Sequence, residues 1–220
     1  MSPDIGGFRE QYNISSLRRA DLAGDPATQF QSWWDAWMAT THYDPAACVL
    51  ATADAQGRPS ARYVLCRHVD ADGFVIYTNL ESHKASDMAA NPYAALVFGW
   101  LDMNRQVRVE GRVAEVDDAV ADAYWVTRPR GSQIGAWASD QSKVLVDRAE
   151  LERNRDEAIE RFGADESDDP IPRPAHWSGL SIALDRVEFW QGRPDRLHDR
   201  FEYRRPPDGS DSWEINRLAP

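Results

Sequence analysis

Residues 189–201, FWQGRPDRLHDRF, bring several cationic or titratable side chains close together in a chain whose formal net charge is −11. If the segment is one β-strand, its period of two places Arg196, His198 and Arg200 on one face and Asp199 on the other. Cations that share a face repel each other unless a negative group lies between them. The spacing therefore predicts a bound anion. The alternative is a ladder of ion pairs with the neighbouring aspartates, which the opposite direction of Asp199 weakens.

A second cluster lies in residues 123–142, AYWVTRPRGSQIGAWASDQS. Tyr124 and Arg128 are four residues apart, so they share one face of a predicted helix. Pro129 is expected to end that helix, and the residues up to Ser132 are expected to turn the chain. A phenol, a guanidinium and a hydroxyl on one patch suit a phosphate. A surface pair beside a loop fits the pattern equally well.

Two weaker signals come from the strands predicted earlier in the chain. In residues 77–86, YTNLESHKAS, a strand ends and Ser82 begins a helix, so that free N–H groups, a hydroxyl and Lys84 could bind phosphate. Taken alone, a simple N-cap beside a solvated lysine is the favoured interpretation. Arg62 and Arg67 are five apart on a strand and so lie on opposite faces, which would leave one of them for a ligand.

Composition excludes several classes of protein. A pI near 4.9 argues against a nucleic-acid surface, which needs a net basic face. Cys48 and Cys66 are the only cysteines, too few for a disulfide framework or a four-ligand zinc site, and buried free thiols are expected. The histidines lack metal-ligand spacing, and neither a G-x-S-x-G motif nor a nucleotide-binding glycine motif occurs. Without a membrane-length apolar run or a signal peptide, the prediction is a soluble, cytoplasmic protein.

The elements that must position these residues change period along the chain. Asp25-Pro26 predicts a helix start, followed by apolar residues at helical spacing through Met38. Period-two patterns then predict closely spaced antiparallel strands at 48–54, 58–69, 74–79, 94–101, 105–116, 180–190 and in a C-terminal pair. Helices are predicted at 82–91, 117–128 and 147–162, and a surface loop at 163–177. The expected fold class is α+β, mainly β, with an antiparallel barrel or sandwich.

Six motifs in this order resemble the pyridoxine (pyridoxamine) 5′-phosphate oxidase family. They are RxVLxxH, YTNxxSxK, FxWxxxxRQVxVxG, RPRxSQxGAWxSxQS, VEFWQGxxxRLHDR and the terminal RLAP, and the likeness runs from about Phe8 to Pro220. The resemblance implies a split β-barrel that binds FMN and forms a homodimer, with each site built from both chains. It also implies oxidation of pyridoxamine or pyridoxine 5′-phosphate to pyridoxal 5′-phosphate, with O₂ as acceptor and H₂O₂ as product. Residues 1–24 would be an arm over the active site, and residues 25–220 a single barrel domain.

The resemblance assigns roles residue by residue. Substrate contacts are implied at Arg9, Tyr12, Arg67, Tyr124, Arg128, Ser132, Arg196 and His198, of which Arg196 and His198 would be catalytic by positioning the reacting carbon. FMN contacts are implied at Arg62, Tyr63, Val64, Leu65, Cys66, Arg67, Tyr77, Thr78, Ser82, His83, Lys84, Gln106, Gln141, Ser142, Trp190 and Arg200. No metal site is implied.

Three positions depart from the family pattern. His83 replaces an arginine, Glu81 a glycine and Arg67 a lysine. Because histidine titrates near neutrality, we expect FMN to bind more weakly here than in relatives, and more weakly as pH rises. Two rival functions remain: a reductase on the same barrel that uses a deazaflavin or another substrate, and a non-catalytic carrier or sensor of flavin or pyridoxal 5′-phosphate.

Overall fold

Alternating buried and exposed side chains mark the strands of the computed structural model, which describes residues 12–163, 167, 169–206 and 212–220. In β1 every second residue is buried, and in β4 and β5 the pattern is similar. The strands of the described residues are β1 (Ala47–Ala53), β2 (Pro59–Val69), β3 (Gly73–Asn79), β4 (Tyr93–Trp100), β5 (Arg105–Glu115), β6 (Trp177–Ala183), β7 (Arg186–Gln191), β8 (Asp199–Arg204) and β9 (Glu214–Leu218).

Six of these strands close into an antiparallel barrel. The order around the ring is β4, β1, β2, β3, β6 and β5, and β4 pairs with β5 to complete it. Beyond the ring, β5 also pairs with β7, which continues the sheet through β8 and β9. The prediction of a mainly β fold with an antiparallel barrel is therefore confirmed.

Five helices of the described residues surround this sheet: α1 (Pro26–Met38), α2 (His83–Ala90), α3 (Asp118–Trp125), α4 (Arg130–Ala138) and α5 (Arg148–Phe162). The predicted start of α1 is confirmed, since the Asp25 side chain accepts a hydrogen bond from the Thr28 backbone N–H at 2.8 Å. The predicted helices at 82–91 and 147–162 are confirmed as α2 and α5. None of the helices within the described residues combines the length and the apolar character that a membrane span requires.

Two apolar clusters hold these layers together. The larger fills the barrel, where Phe30 of α1 packs edge-on against Phe74 and Phe98 at ring-centroid distances of 4.8 and 5.0 Å. The smaller lies under α3, α4 and α5 and centres on Trp125 and Trp177. Both cysteines are buried free thiols, as predicted, and burial raises the pKa of Cys66 to about 12.

The range predicted as strand at 180–190 forms two strands, β6 and β7, which are separated at Leu184 and Asp185. Two other predicted elements were wrong. Residues 189–201 are not one strand: β7 ends at Gln191, and Asp195 and Arg196 have left-handed φ angles of 56° and 63° before β8 begins. The alternation rule therefore does not place Arg196 and His198 beside Arg200. The turn expected after Pro129 is helix α4, in which Arg130 donates hydrogen bonds to the carbonyls of Phe162 and Gly163 at the end of α5.

Candidate functional site

A cavity of about 750 Å³ opens between the barrel and α3–α4, within the usual size range of ligand pockets. The strand ends of β2 and β3 form one wall, and the start of α2 and the α3–α4 junction form the others. It is lined by Tyr63, Val64, Leu65, Arg67, Tyr77, Thr78, Asn79, Lys84, Tyr124, Thr127, Arg128, Pro129, Ser132, Gly135, Ala136, Ser139, Gln141 and Trp177. The structure thus brings together residues from three of the four clusters that the sequence predicted.

The charge of this lining is one-sided. Arg67, Lys84 and Arg128 contribute cations, and no aspartate or glutamate is among the described residues that line the cavity. Nor does any of the three cations have an ion pair with a carboxylate in the described part of the chain. In a chain with eleven excess negative charges, this local excess of positive charge calls for an anionic ligand.

Among the cavity cations, Arg128 gives the strongest indication of an anionic ligand. Its guanidinium lies over the rings of Trp125 and Trp177, 4.9 and 4.6 Å from their centroids. Its Nη1 atom is buried without a hydrogen-bond partner among the described residues. Burial lowers the pKa of Arg128, and the nearby Tyr124 phenol opposes that shift. A buried donor without a partner is costly, so the position fits a group that accepts hydrogen bonds, such as a phosphate.

A stack of parallel rings forms the wall beside Arg128. Tyr77 and Tyr124 lie 3.9 Å apart with an interplanar angle of 13°, and Tyr77 stacks on Trp177 at 5.3 Å. Gly179, opposite Tyr77 on β6, makes this arrangement possible, because a Cβ atom there would lie 2.9 Å from the Tyr77 ring. Burial and then the neighbouring Tyr124 raise the pKa of Tyr77. The wall is therefore neutral, flat and suited to an aromatic ligand.

Lys84 also lines the cavity, from the first turn of α2. Its Nζ donates to Thr78 Oγ1 at 3.0 Å, Ser82 Oγ at 3.1 Å and Gln141 Oε1 at 2.6 Å. Burial, and then the charge of Arg62, lower the pKa of Lys84 to about 8. An anion bound here would restore the favourable environment of the ammonium group.

Three predicted cofactor residues lie on the outer side of the extended sheet, away from the barrel core. Gln106, Trp190 and Arg200 are direct neighbours across β5, β7 and β8. Arg200 donates from Nε to Glu188 Oε1 at 2.6 Å and from Nη1 to the Ala219 carbonyl at 2.8 Å. The ion-pair alternative therefore holds for Arg200, although its partner is Glu188 rather than a nearby aspartate.

Arg196 and His198 lie in the loop between β7 and β8, and they do not line the cavity of their own chain. The backbone N–H of Arg193 donates to His198 Nδ1 at 3.1 Å, so the neutral ring carries its proton on Nε2. Burial and then Arg196 and Arg200 lower the pKa of His198. Arg196 is exposed and forms no ion pair with any described residue. Tyr12 packs near the His198 ring at 5.8 Å.

The remaining predicted residues have other surroundings. Arg62 does not line the cavity, because its donors reach Leu50 O, Thr52 Oγ1 and the Ser60 carbonyl and hydroxyl. Cys66 is in the core, Ser82 is buried at the N-cap of α2, and Ser142 has a φ angle of 74°. His83 is 65% exposed, with Nε2 3.5 Å from the buried Asp87 carboxylate. Arg9 lies outside the described residues.

Sequence reasoning missed several residues of the site. Trp177 was placed in a loop, and Thr127, Gly135, Ala136 and Ser139 were not singled out, although they line the cavity. Glu188 was missed as the partner of Arg200 and Arg108. The alternating pattern of RVEFWQ places Glu188 on the same side of the strand as Trp190. This pattern could have predicted that Glu188 shares a face with the outer-sheet residues.

Known families and individual relatives match this chain over most of its length. The family described as "Pyridoxamine 5'-phosphate oxidase" matches residues 36–162, and the "Pyridoxine 5'-phosphate oxidase C-terminal dimerisation region" matches residues 177–220. The chain is 50% identical to the pyridoxine/pyridoxamine 5′-phosphate oxidase 1 of Ralstonia nicotianae over 98% of this chain and 99% of that protein. It is 49% identical, with the same coverage, to the pyridoxine/pyridoxamine 5′-phosphate oxidase of Cupriavidus pinatubonensis.

Two solved structures are also similar. The crystal structure of PhzG from Burkholderia lata, in complex with tetrahydrophenazine-1-carboxylic acid, has a TM-score of 0.84 and 26% identity, covering 94% of this chain and 99% of that one. A pyridoxamine 5′-phosphate oxidase-related, FMN-binding protein from Nostoc punctiforme has a TM-score of 0.69 and 18% identity, covering 89% and 98%. The second likeness supports the fold alone.

Proposed function

Since the chain belongs to the pyridoxamine 5′-phosphate oxidase family, we propose that it oxidises pyridoxamine 5′-phosphate and pyridoxine 5′-phosphate to pyridoxal 5′-phosphate. The proposed cofactor is FMN, the acceptor is O₂, and H₂O₂ is formed with the aldehyde; the amine substrate also consumes water and releases ammonia. The observation that carries the proposal is the buried Arg128 guanidinium, which has an unpartnered Nη1 in a cavity whose described lining has no carboxylate. Soluble, cytoplasmic vitamin B6 metabolism remains the proposed setting.

The residues present fit both a phosphorylated substrate and a flavin phosphate. Arg128, Tyr124 and Ser132 meet at the α3–α4 junction and suit the substrate phosphate. Lys84, Thr78 and Gln141 form a second polar group at the start of α2 and suit the FMN phosphate. The flat ring wall that includes Tyr77 lines the same cavity and suits a stacked aromatic ring.

Bound FMN would supply the hydride acceptor for the substrate's 4′ carbon and the route by which electrons reach O₂. This chain's residues then act by binding, orienting and excluding water. Arg128 fixes the direction of the substrate phosphate, and the ring wall limits how far the substrate plane can tilt. His198, held with its proton on Nε2, donates to the substrate ring, and Arg196 adds a positive charge beside it.

We further propose that a second copy of the chain completes the site. Gln106, Trp190, Arg196, His198 and Arg200 do not line the cavity of their own chain. The match of residues 177–220 to a dimerisation region supports a homodimer in which these residues face the partner's cavity. The cofactor would then lie between the two chains.

The test is turnover by the purified chain with FMN in air. We expect aldehyde from each phosphorylated substrate, with one H₂O₂ per aldehyde, measured by absorbance and by a peroxidase-coupled dye. Unphosphorylated pyridoxamine is the matched control and should react poorly, because Arg128 has no phosphate to bind. Flavin binding without aldehyde from either substrate would contradict the oxidase and favour the carrier or sensor.

A further inference from the structure

Two side chains connect the N-terminal segment, residues 12–17, to the β7–β8 region: Arg193 in the loop and Asp199, the first residue of β8. Arg193 donates from Nη1 to the Ser15 carbonyl at 3.0 Å. Asp199 accepts from the Leu17 backbone N–H at 3.1 Å. Arg193 and Asp199 also face each other, with Nε and Oδ2 3.5 Å apart. The two ends of the loop thus hold one stretch of the segment.

Arg193 also contacts His198, the candidate catalytic histidine. The backbone N–H of Arg193 donates to His198 Nδ1, while its side chain holds Ser15. From the other side, the Tyr12 ring lies 5.8 Å from His198 and 5.9 Å from Trp190. Orientation of the His198 ring and position of the segment therefore depend on shared contacts.

A close backbone approach sets the position of Tyr12. Gly192 has no side chain, and a Cβ atom there would lie 2.9 Å from the Cβ and Cγ atoms of Tyr12 and from Asn104. The segment thus packs directly on the loop backbone beside Arg193. At its other end Leu17 is 4% exposed and belongs to the barrel core cluster, which anchors the segment.

These contacts are more than a single surface ion pair, which contributes little to stability. The Asp199 side chain is only 16% exposed and uses both oxygens, because Arg217 Nη1 lies 3.0 Å from Oδ1. Arg193 balances the same carboxylate and holds a carbonyl of the segment. A network that shares its members loses several contacts when one member is removed.

We propose that Arg193 and Asp199 are positioning residues that couple docking of residues 12–17 to the orientation of His198. Neither residue touches substrate in this proposal, since each acts through Tyr12, Ser15 or His198. The inference rests on the proposed function for the ligand that His198 meets. Its structural part concerns the ligand-free protein and is tested without turnover.

The first test is hydrogen exchange of the ligand-free full chain, comparing the original protein with Arg193→Ala and Asp199→Asn. We expect the Leu17 amide, which donates to Asp199, to exchange about tenfold faster in both variants. Arg148→Ala is the matched control, because Arg148 forms an exposed pair with Glu152 on α5. Unchanged protection of the Leu17 amide in Arg193→Ala, with a native melting temperature, would overturn the proposal.

The second test measures the tautomer of the His198 ring by nitrogen-15 NMR. The His198 signal is assigned by its loss in His198→Gln. We expect an Nε2–H ring in the original protein, and a mixed tautomer population in Arg193→Ala, which keeps the backbone donor but loses the hold on Ser15. Tyr12→Ala should shift the population in the same direction. Faster exchange of the segment with an unchanged His198 spectrum would show that the two events are independent and would refute the coupling.

If the variants show both structural effects but the original protein has no turnover, the proposed function fails while the coupling stands. If turnover is present, Arg193→Ala should raise KM for pyridoxamine 5′-phosphate about fivefold and change kcat by less than about twofold. The double variant with Tyr12→Ala should then be no worse than Tyr12→Ala alone. Fully additive effects on KM would contradict a shared route through Tyr12.

Discussion

The cavity and the outer sheet both concentrate cationic side chains, but only the outer sheet provides its own carboxylates. On β5, β7 and β8, Glu188 lies 2.6 Å from Arg200 and 3.3 Å from Arg108, and it is 2% exposed. In the cavity, Arg128 and Lys84 have no carboxylate partner among the described residues. The paired cations of the outer sheet stabilise that sheet. The unpaired cations of the cavity are suited to bind a negatively charged ligand.

In the outer sheet the protein itself supplies the counter-charge, whereas in the cavity a ligand would supply it. Substitutions in the two regions should therefore have opposite effects on the stability of the ligand-free protein. Removing a carboxylate from a buried pair leaves cations facing each other without compensation. Removing a buried cation that has no partner takes away an unfavourable charge. Substitutions in the two regions should therefore separate folding from ligand binding.

The largest effect is expected for Glu188→Gln. The variant removes the carboxylate partner of Arg200 and leaves Arg108 with Glu110 alone, and we expect the free energy of unfolding to fall by about 3 kcal/mol. Urea denaturation measures this change. Glu152→Gln, in an exposed pair on α5, is the control and should cost no more than about 0.5 kcal/mol. Equal losses in the two variants would remove the distinction between buried and exposed pairs.

Arg128→Met should impair substrate binding while leaving the stability of the ligand-free protein unchanged. The ligand-free protein should keep its stability, because methionine can pack on Trp125 and Trp177 without a buried charge. KM for pyridoxamine 5′-phosphate should rise about a hundredfold, as expected for loss of charge-assisted hydrogen bonds to phosphate. The measurement is KM from steady-state kinetics, with pyridoxamine 5′-phosphate and with unphosphorylated pyridoxamine as substrates. A similar loss for unphosphorylated pyridoxamine would place Arg128 away from the phosphate.

A smaller effect, about tenfold, should appear when pH is raised. The pKa of Lys84 is lowered to about 8, so ligand-free protein holds the ammonium form below pH 8 and loses it above. An anion prefers the ammonium form, and FMN affinity should therefore fall about tenfold between pH 7 and pH 9. Fluorescence titration of FMN measures it. Lys84→Arg should abolish this dependence, and a parallel slope in that variant would exclude Lys84 as its source.

The smallest effect is expected for His83→Arg. His83 is largely exposed beside Asp87, so a permanent charge there should tighten FMN binding only about two- to fivefold at pH 8. His68→Arg, on an exposed part of β2, is the matched control. No change on replacing His83 would refute the expectation that this histidine weakens FMN binding.

Much of the fold followed from local patterns. The Asp25 cap, the charged helix α5 and the barrel strands were predicted, because period and capping depend on neighbouring residues. Helix α4 was missed because its glycines and polar residues imitate a turn, while Arg130 and the contact with α5 stabilise it from a distance. The strand predicted through Arg196 was wrong, since two left-handed residues break its alternation.

Which residues carry positive charge, and which types suit phosphate, was determined by the sequence alone. Which of those charges lack a carboxylate was decided only by tertiary structure. Glu188 meets Arg200 through the register of two strands, and Arg128 meets Trp177 although helices α4 and α5 lie between them in the sequence. Electrostatic energy depends on distance and burial, and neither is a local property of the chain. The sequence could therefore name the cations, and the fold decides which of them need a ligand.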